Sequence, residues 1–168
     1  MKEWTLWPWP FFEDRHKDLA QRIARWSAPV EGHPEGEALE KACRDIALSL
    51  GREGFLDIVV PTAQTGSKPS IDVRALCIVR EALGYSCVLA DTVIAMQGIG
   101  SGAIWMHGTA EQKARWLPRI RSGEAIAGFA LTEPETGSDV ANITARGERQ
   151  GDHYVLNGEK TFISNAPF

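Results

Sequence analysis

Cysteine is scarce in this chain. Among 168 residues there are three, Cys43, Cys77 and Cys87, an odd number without C-x-x-C spacing. That argues against a disulfide framework and against a zinc knuckle, and a reducing, intracellular setting is expected. The four histidines are scattered, with no pair at metal-ligand spacing, so no metal is expected. An excess of positive charge is also missing. The formal net charge is -4, which gives no electrostatic reason to bind nucleic acid. No apolar run approaches the ~20 residues of a membrane span. The first residues form neither a signal-peptide apolar core nor an Arg-rich transit segment. A cytoplasmic protein with no membrane partner is expected. Gly98-Ile-Gly100-Ser-Gly102 is not the G-x-G-x-x-G of a dinucleotide fold, and no G-x-S-x-G hydrolase elbow occurs.

What is present begins with tryptophan. Three of the first ten residues are Trp and two are Pro, an extended arm whose indoles need a surface to pack on. Helical periodicity follows over about Phe12 to Ser27, with Leu19, Ile23 and Trp26 on one face. Pro29 and the glycines and prolines of Glu31 to Gly36 break it. A second helix is predicted over Glu37 to Arg52, and a short apolar stretch runs from Gly54 to Pro61. Loop composition spans Thr62 to Ser70. Ser70 is placed to cap a third helix, with Asp72 in its first turn and Gly84 at its end. A fourth helix covers about Cys87 to Met106. Its Gly98, Gly100 and Gly102 each cost roughly 1 kcal/mol against alanine, so either something approaches this backbone closely or the helix is locally irregular. Thr109-Ala-Glu-Gln112 is a capping box opening a fifth helix to about Arg121, interrupted near Pro118. The basic pairs Lys113/Arg115 and Arg119/Arg121 lie among acids at helical spacing, as on a solvated face.

From Ala125 the texture changes. Ile126 to Leu131 and Ile143 to Gly147 read as strands. His153 to Leu156 and Lys160 to Ile163 flank Asn157-Gly158, a strong hairpin signal. The fold class is therefore α+β: an all-α helical domain over 1–124, then the first strands of an antiparallel β domain over 125–168. Between the first two strands lies Phe129-Ala-Leu-Thr-Glu-Pro-Glu-Thr-Gly-Ser-Asp139. Glu133-Pro134 enforces an extended approach, and Gly137 permits positive φ or close contact. Such a loop can present backbone N–H groups to phosphate or flavin oxygens. It can equally be a tight interstrand turn capped by its own side chains.

The stretch "LTEPETGSD", preceded by "GTAEQKARWLPRIRSGEAIAGFA" and followed by "GDHYVLNGEKTFISNA", resembles the acyl-CoA dehydrogenase family. The likeness is dense from about Glu81 to Ala166. It implies FAD as cofactor, an acyl-CoA substrate, an electron-transfer flavoprotein as electron acceptor and a homo-oligomer. The reaction implied is α,β-desaturation to a trans-2-enoyl-CoA. It places Phe129, Ala130, Leu131 and Thr132 along the isoalloxazine, and Gly137 and Ser138 by the pyrophosphate, with Ser138 also touching acyl-CoA. Phe162, Ile163 and Ser164 match a second flavin strand, Ser164 near flavin N5. The helix bearing Gly98, Gly100 and Gly102 would wall the acyl chain. Phe162 stands where the family usually has tryptophan and Ser164 where threonine is usual. The loop from Pro61 to Pro69 lacks the usual acidic, double-glycine pattern. In the family a later helical domain supplies the catalytic glutamate, so the chain is expected to end before its base and to be inactive alone. Two other readings share these residues: a flavin-dependent monooxygenase or nitroalkane oxidase of the same fold, and a non-catalytic module binding a partner through the Trp-rich arm.

Overall fold

In the computed structural model, residues 9–30, 32–61 and 70–166 are described. The first eight residues of the Trp-Pro arm and the loop at 62–69 lie outside them. Five helices are followed by one hairpin: α1 (Asp14–Arg25), α2 (Glu37–Arg52), α3 (Val73–Ser86), α4 (Val88–His107), α5 (Ala110–Arg121), β1 (Arg146–Gln150) and β2 (His153–Asn157). A 3-10 turn, Phe55–Ile58, follows α2 and buries Phe55 and Leu56, and a second, Val140–Asn142, precedes β1. The α+β class expected from the sequence is the class observed.

Helix α4 is the axis of the bundle. It packs against α2, α3 and α5, while α1 packs on α3. Its twenty residues are apolar on nearly every face, the pattern of a helix surrounded by others. By length and composition α4 could cross a bilayer. Here Ala90, Val93, Ile94, Gln97, Ser101 and Gly102 of α4 are buried. Ile46, Leu50, Leu56, Val79 and Leu83 close the core around it. Arg80 grips Asp91 through two hydrogen bonds of 2.6 and 2.7 Å, fixing the α3–α4 corner from outside.

Helix ends follow local chemistry. The capping box of α5 forms as expected: Thr109 Oγ1 accepts from the Gln112 amide and Gln112 Oε1 accepts from the Thr109 amide. Pro118 does not interrupt α5. At α3 the cap is Asp72 and not Ser70. The Asp72 carboxylate accepts from the amides of Arg74 and Ala75, and it also receives Nε2–H of the buried His16 at 3.0 Å. Burial pushes this carboxyl up, but the hydrogen bonds from His16 and Ala75 and the Arg15 charge outweigh it and hold it at about 2.

Two glycines let α2 and the end of α5 cross at backbone contact. A Cβ on Gly51 would meet the carbonyl oxygen of Ser122 at 2.3 Å, and one on Gly123 would meet that of Ala47 at 2.1 Å. Gly123 also holds φ +78°, a left-handed conformation that costs other residues dearly. Along α4, Gly98 lies against Val59, and Gly100 lies against the backbone of Gly128. Close packing therefore accounts for both.

The β part departs from the sequence reading in its strands and its turn. The strand expected over Ile143 to Gly147 is found at Arg146–Gln150. Lys160 to Ile163 forms no strand, because its Thr161 amide bonds the Thr132 carbonyl outside any ladder. The hairpin turns at Gly151-Asp152, pairing Arg146 with Asn157 through Gln150 with His153. Asn157-Gly158 instead ends β2. Gly151 supplies the positive φ the two-residue turn needs. Gly158 is needed for another reason, because a Cβ there would strike Ala145 at 2.5 Å. Ile126 to Leu131 is extended but is not part of a ladder either, because side chains take its first backbone groups.

The buried amide of Gln97 is the main such side chain. Its Nε2 donates to the carbonyls of Ile120 and Ala125, and its Oε1 accepts from the Ala127 amide at 2.6 Å. It ties the end of α5 and the start of the extended segment to α4. Two outcomes are expected. Gln97→Leu strands three buried backbone groups at about 1–3 kcal/mol each. It should lower unfolding free energy by at least about 3 kcal/mol in urea titration and speed hydrogen exchange at Ala127. Gly123→Ala places a side chain where left-handed backbone alone costs about 1–3 kcal/mol, and the urea midpoint should fall with the m-value unchanged.

Candidate functional site

The sequence nominated two separated segments, and the structure lays them side by side. The Thr161 amide donates to the Thr132 carbonyl at 2.9 Å. Asn165 Nδ2 donates to the Ala127 carbonyl at 2.9 Å. A Cβ on Gly128 would sit 3.5 Å from the Ser164 carbonyl oxygen. Residues 127–132 and 161–165 thus run together, with α4 behind them at Gly100.

The loop beyond them is closed on itself. Glu133 and Thr136 exchange backbone hydrogen bonds of 2.9 and 3.1 Å around Pro134-Glu135. The Glu133 side chain, 4% exposed, then gathers donors from three places. Its Oε2 accepts from the Thr144 amide at 2.7 Å and the Thr144 hydroxyl at 2.8 Å. Its Oε1 accepts from the Ala145 amide and from Lys160 Nζ, both at 2.9 Å. Lys160 also donates to the Leu131 carbonyl at 2.8 Å. The Thr144 amide, Lys160 and the Ala145 amide hold the Glu133 carboxyl at about 2, well below its ordinary 4.5. At neutral pH it is a fixed anion whose oxygens are occupied, a clamp and not a proton acceptor.

The nominated residues fall as follows. Phe129 and Ala130 are exposed, and Leu131 and Thr132 are half-buried. Phe162 is 92% exposed with φ +55°, a strained backbone for a bulky side chain and a pointer to function. Ile163 is half-buried and Ser164 exposed. Gly137 and Ser138 lie exposed further along the loop, with no hydrogen bond to residues 162–164. Among the described residues, no protein acceptor takes the amides of Thr132, Gly137 or Ser138. Gly137 does not adopt positive φ, and a Cβ there would meet nothing within 4 Å. The protein itself therefore does not require glycine at this position, contrary to the sequence expectation.

Glu133, Lys160, Gln97 and Asn165 do the positioning, and sequence reasoning missed all four in that role. Gln97 had a legible signal, a lone amide on the apolar face of a hydrophobic helix. The Glu133–Lys160 pair had none, since 27 residues separate them.

This geometry can be set beside known proteins. Residues 13–124 match the family model "Acyl-CoA dehydrogenase, N-terminal domain", and residues 128–168 match "Acyl-CoA dehydrogenase, middle domain". The chain is 36% identical over 154 residues to the very long-chain specific acyl-CoA dehydrogenase of Rattus norvegicus, covering 89% of this chain and 23% of that protein. It is 32% identical over 161 residues to the 3-(aryl)acrylate reductase of Clostridium sporogenes (strain ATCC 15579), covering 94% and 42%. The crystal structure of an acyl-CoA dehydrogenase complexed with FAD from Bacillus anthracis superposes with TM-score 0.75 at 30% identity, over 94% of this chain and 28% of that one. The chain thus spans less than half the length of these relatives. With the two family models together accounting for nearly all of its residues, the chain belongs to the acyl-CoA dehydrogenase family.

Proposed function

We propose that this chain supplies the helical wall (1–124) and the first flavin-facing strands (125–168) of an FAD-dependent acyl-CoA dehydrogenase. The observation that carries the reading is the set of unengaged amides at Thr132, Gly137 and Ser138, together with the exposed rings of Phe129 and Phe162 on the paired segments. Donors free of protein partners suit an anionic or electron-rich ligand. Gly137, unneeded by the fold, suits a ligand backbone passing close by. These features fit FAD: Thr132 and Ser164 would hold the isoalloxazine edge, and Gly137 and Ser138 the pyrophosphate, with Ser138 also near the acyl-CoA. FAD, when bound, supplies a hydride acceptor at N5.

The chain's own residues would bind and orient. Phe129, Ala130, Leu131, Phe162 and Ile163 present apolar surface that shields a planar ring from water. Ser164 would place a hydroxyl where the hydride arrives. The α-proton must go to a base, and Glu133 is not that base, since four donors occupy it and its pKa of about 2 makes it too weak. An acyl-CoA would be oxidised to its trans-2-enoyl form, with electrons passing to an electron-transfer flavoprotein, and the working assembly would be a homo-oligomer.

The purified chain mixed with FAD is expected to retain yellow flavin after dialysis and to form no enoyl-CoA from acyl-CoA. Ser164→Ala should weaken FAD binding roughly threefold to tenfold, the worth of one hydrogen bond. Loss of all flavin on dialysis would sink the reading, as would turnover by the chain alone. The Glu133 clamp carries its own pH dependence. A carboxyl lowered from 4.5 to about 2 stabilises the fold fully above 4.5, and that contribution disappears as pH falls toward 2. The stability difference between wild type and Glu133→Gln should be constant near neutrality and shrink between pH 4.5 and 2, read by thermal melts.

A further inference from the structure

Two successive residues hold two successive carbonyls where the paired segments meet. Lys160 Nζ donates to the Leu131 carbonyl at 2.8 Å, and the Thr161 amide donates to the Thr132 carbonyl at 2.9 Å. Between those carbonyls lies the Thr132 amide, which no protein acceptor takes among the described residues. The Lys160 ammonium also meets the buried Glu133 carboxylate at 2.9 Å. Its head is thus held by two acceptors, one a charge and one a backbone oxygen. A loop clamp needs only the first. The second contact matters because the Leu131 carbonyl and the Thr132 N–H belong to one peptide unit. That unit is planar and trans, so a carbonyl held in place directs its N–H the opposite way.

Resting on the function proposed above, we infer that Lys160 is a positioning residue for the flavin: its grip on the Leu131 carbonyl aims and strengthens the Thr132 N–H, and so favours the reduced form of a bound ring. By standard bond lengths the ammonium lies about 5 Å from the Thr132 nitrogen. A cation on the carbonyl oxygen draws electron density away from the nitrogen. The N–H becomes a stronger donor, since hydrogen bonds in series reinforce one another. At longer range the Glu133 charge offsets the ammonium, so the effect is concentrated on this one peptide. A reduced flavin is more electron-rich than an oxidised one and gains more from a strong, fixed donor. Removing the cation works in the same direction twice. It weakens the donor, and it leaves the Glu133 anion without its counter-charge beside a ring that must accept electrons.

The test uses the 168-residue chain with and without FAD. Lys160→Met should lower the preference for reduced over oxidised FAD about threefold to tenfold, read as a fall of about 15–30 mV in the two-electron midpoint potential. In the FAD-free chain, the Leu131 carbonyl carbon and the Thr132 amide proton should both shift upfield in nuclear magnetic resonance spectra. Lys160→Gln keeps a neutral donor, so its potential and resonances should fall between those of wild type and the methionine variant. It decides the matter if the methionine variant does not fold. Gly123→Ala, a destabilising change in the helical part, should leave the potential and both resonances where they were. Lost stability with potential and resonances unmoved would make Lys160 a partner of Glu133 and nothing more, and overturns the inference. A wild-type chain that holds no FAD overturns the function beneath it instead, and that failure shows before any substitution is made.

Discussion

One carboxylate organises the loop on which the candidate site depends. Glu133 directly follows the extended segment 127–132, and its side chain collects the Thr144 amide and hydroxyl, the Ala145 amide and Lys160. Charge-assisted hydrogen bonds are the strong ones, and here they connect three stretches of chain that no ladder joins. Thr144 and Ala145 lead into β1, Lys160 follows β2, and Leu131 receives the second bond from Lys160. The hairpin is exposed on both faces, so burial of its own side chains does little to hold it. Its attachment to the rest of the molecule runs through this anion and through the bonds that follow β2, from Lys160 to Leu131, Thr161 to Thr132 and Asn165 to Ala127.

A second polar group does the corresponding work on the helical side. Gln97 satisfies three backbone groups that would otherwise be buried without partners. An amide can do this because it carries both donor and acceptor at one end. The consequence is that residues 125–127 run alongside α4 without belonging to a sheet. The segment stays extended because its polar groups are met by side chains, one at each of several points.

The helices were legible in the sequence because their determinants are local. Apolar spacing defined α2 to its last residue, and Thr109 with Gln112 announced the start of α5. Where the reading erred, the deciding contact lay elsewhere in the chain. Asp72 outcompeted Ser70 as a cap because it reaches both the Arg74 and Ala75 amides while facing His16. Asn157-Gly158 and Gly151-Asp152 both carry glycine turn chemistry, and which one turns was settled by Gly158 crossing Ala145. The site residues came into view through resemblance to a family. The groups that hold them in place, Glu133, Lys160 and Asn165, act across tens of residues and leave no periodic trace.

The contact between Gly100 and Gly128 has a practical consequence for anyone recombining such proteins. A Cβ on Gly100 would come within 2.8 Å of the Gly128 nitrogen and oxygen, so the helical unit and the extended segment meet backbone to backbone. A chimera joined at the domain boundary near residue 125 would take α4 from one parent and its facing extended segment from another. Unless both parents keep that interlocking pair small, the seam would open by the width of a methyl group, and everything downstream would swing with it.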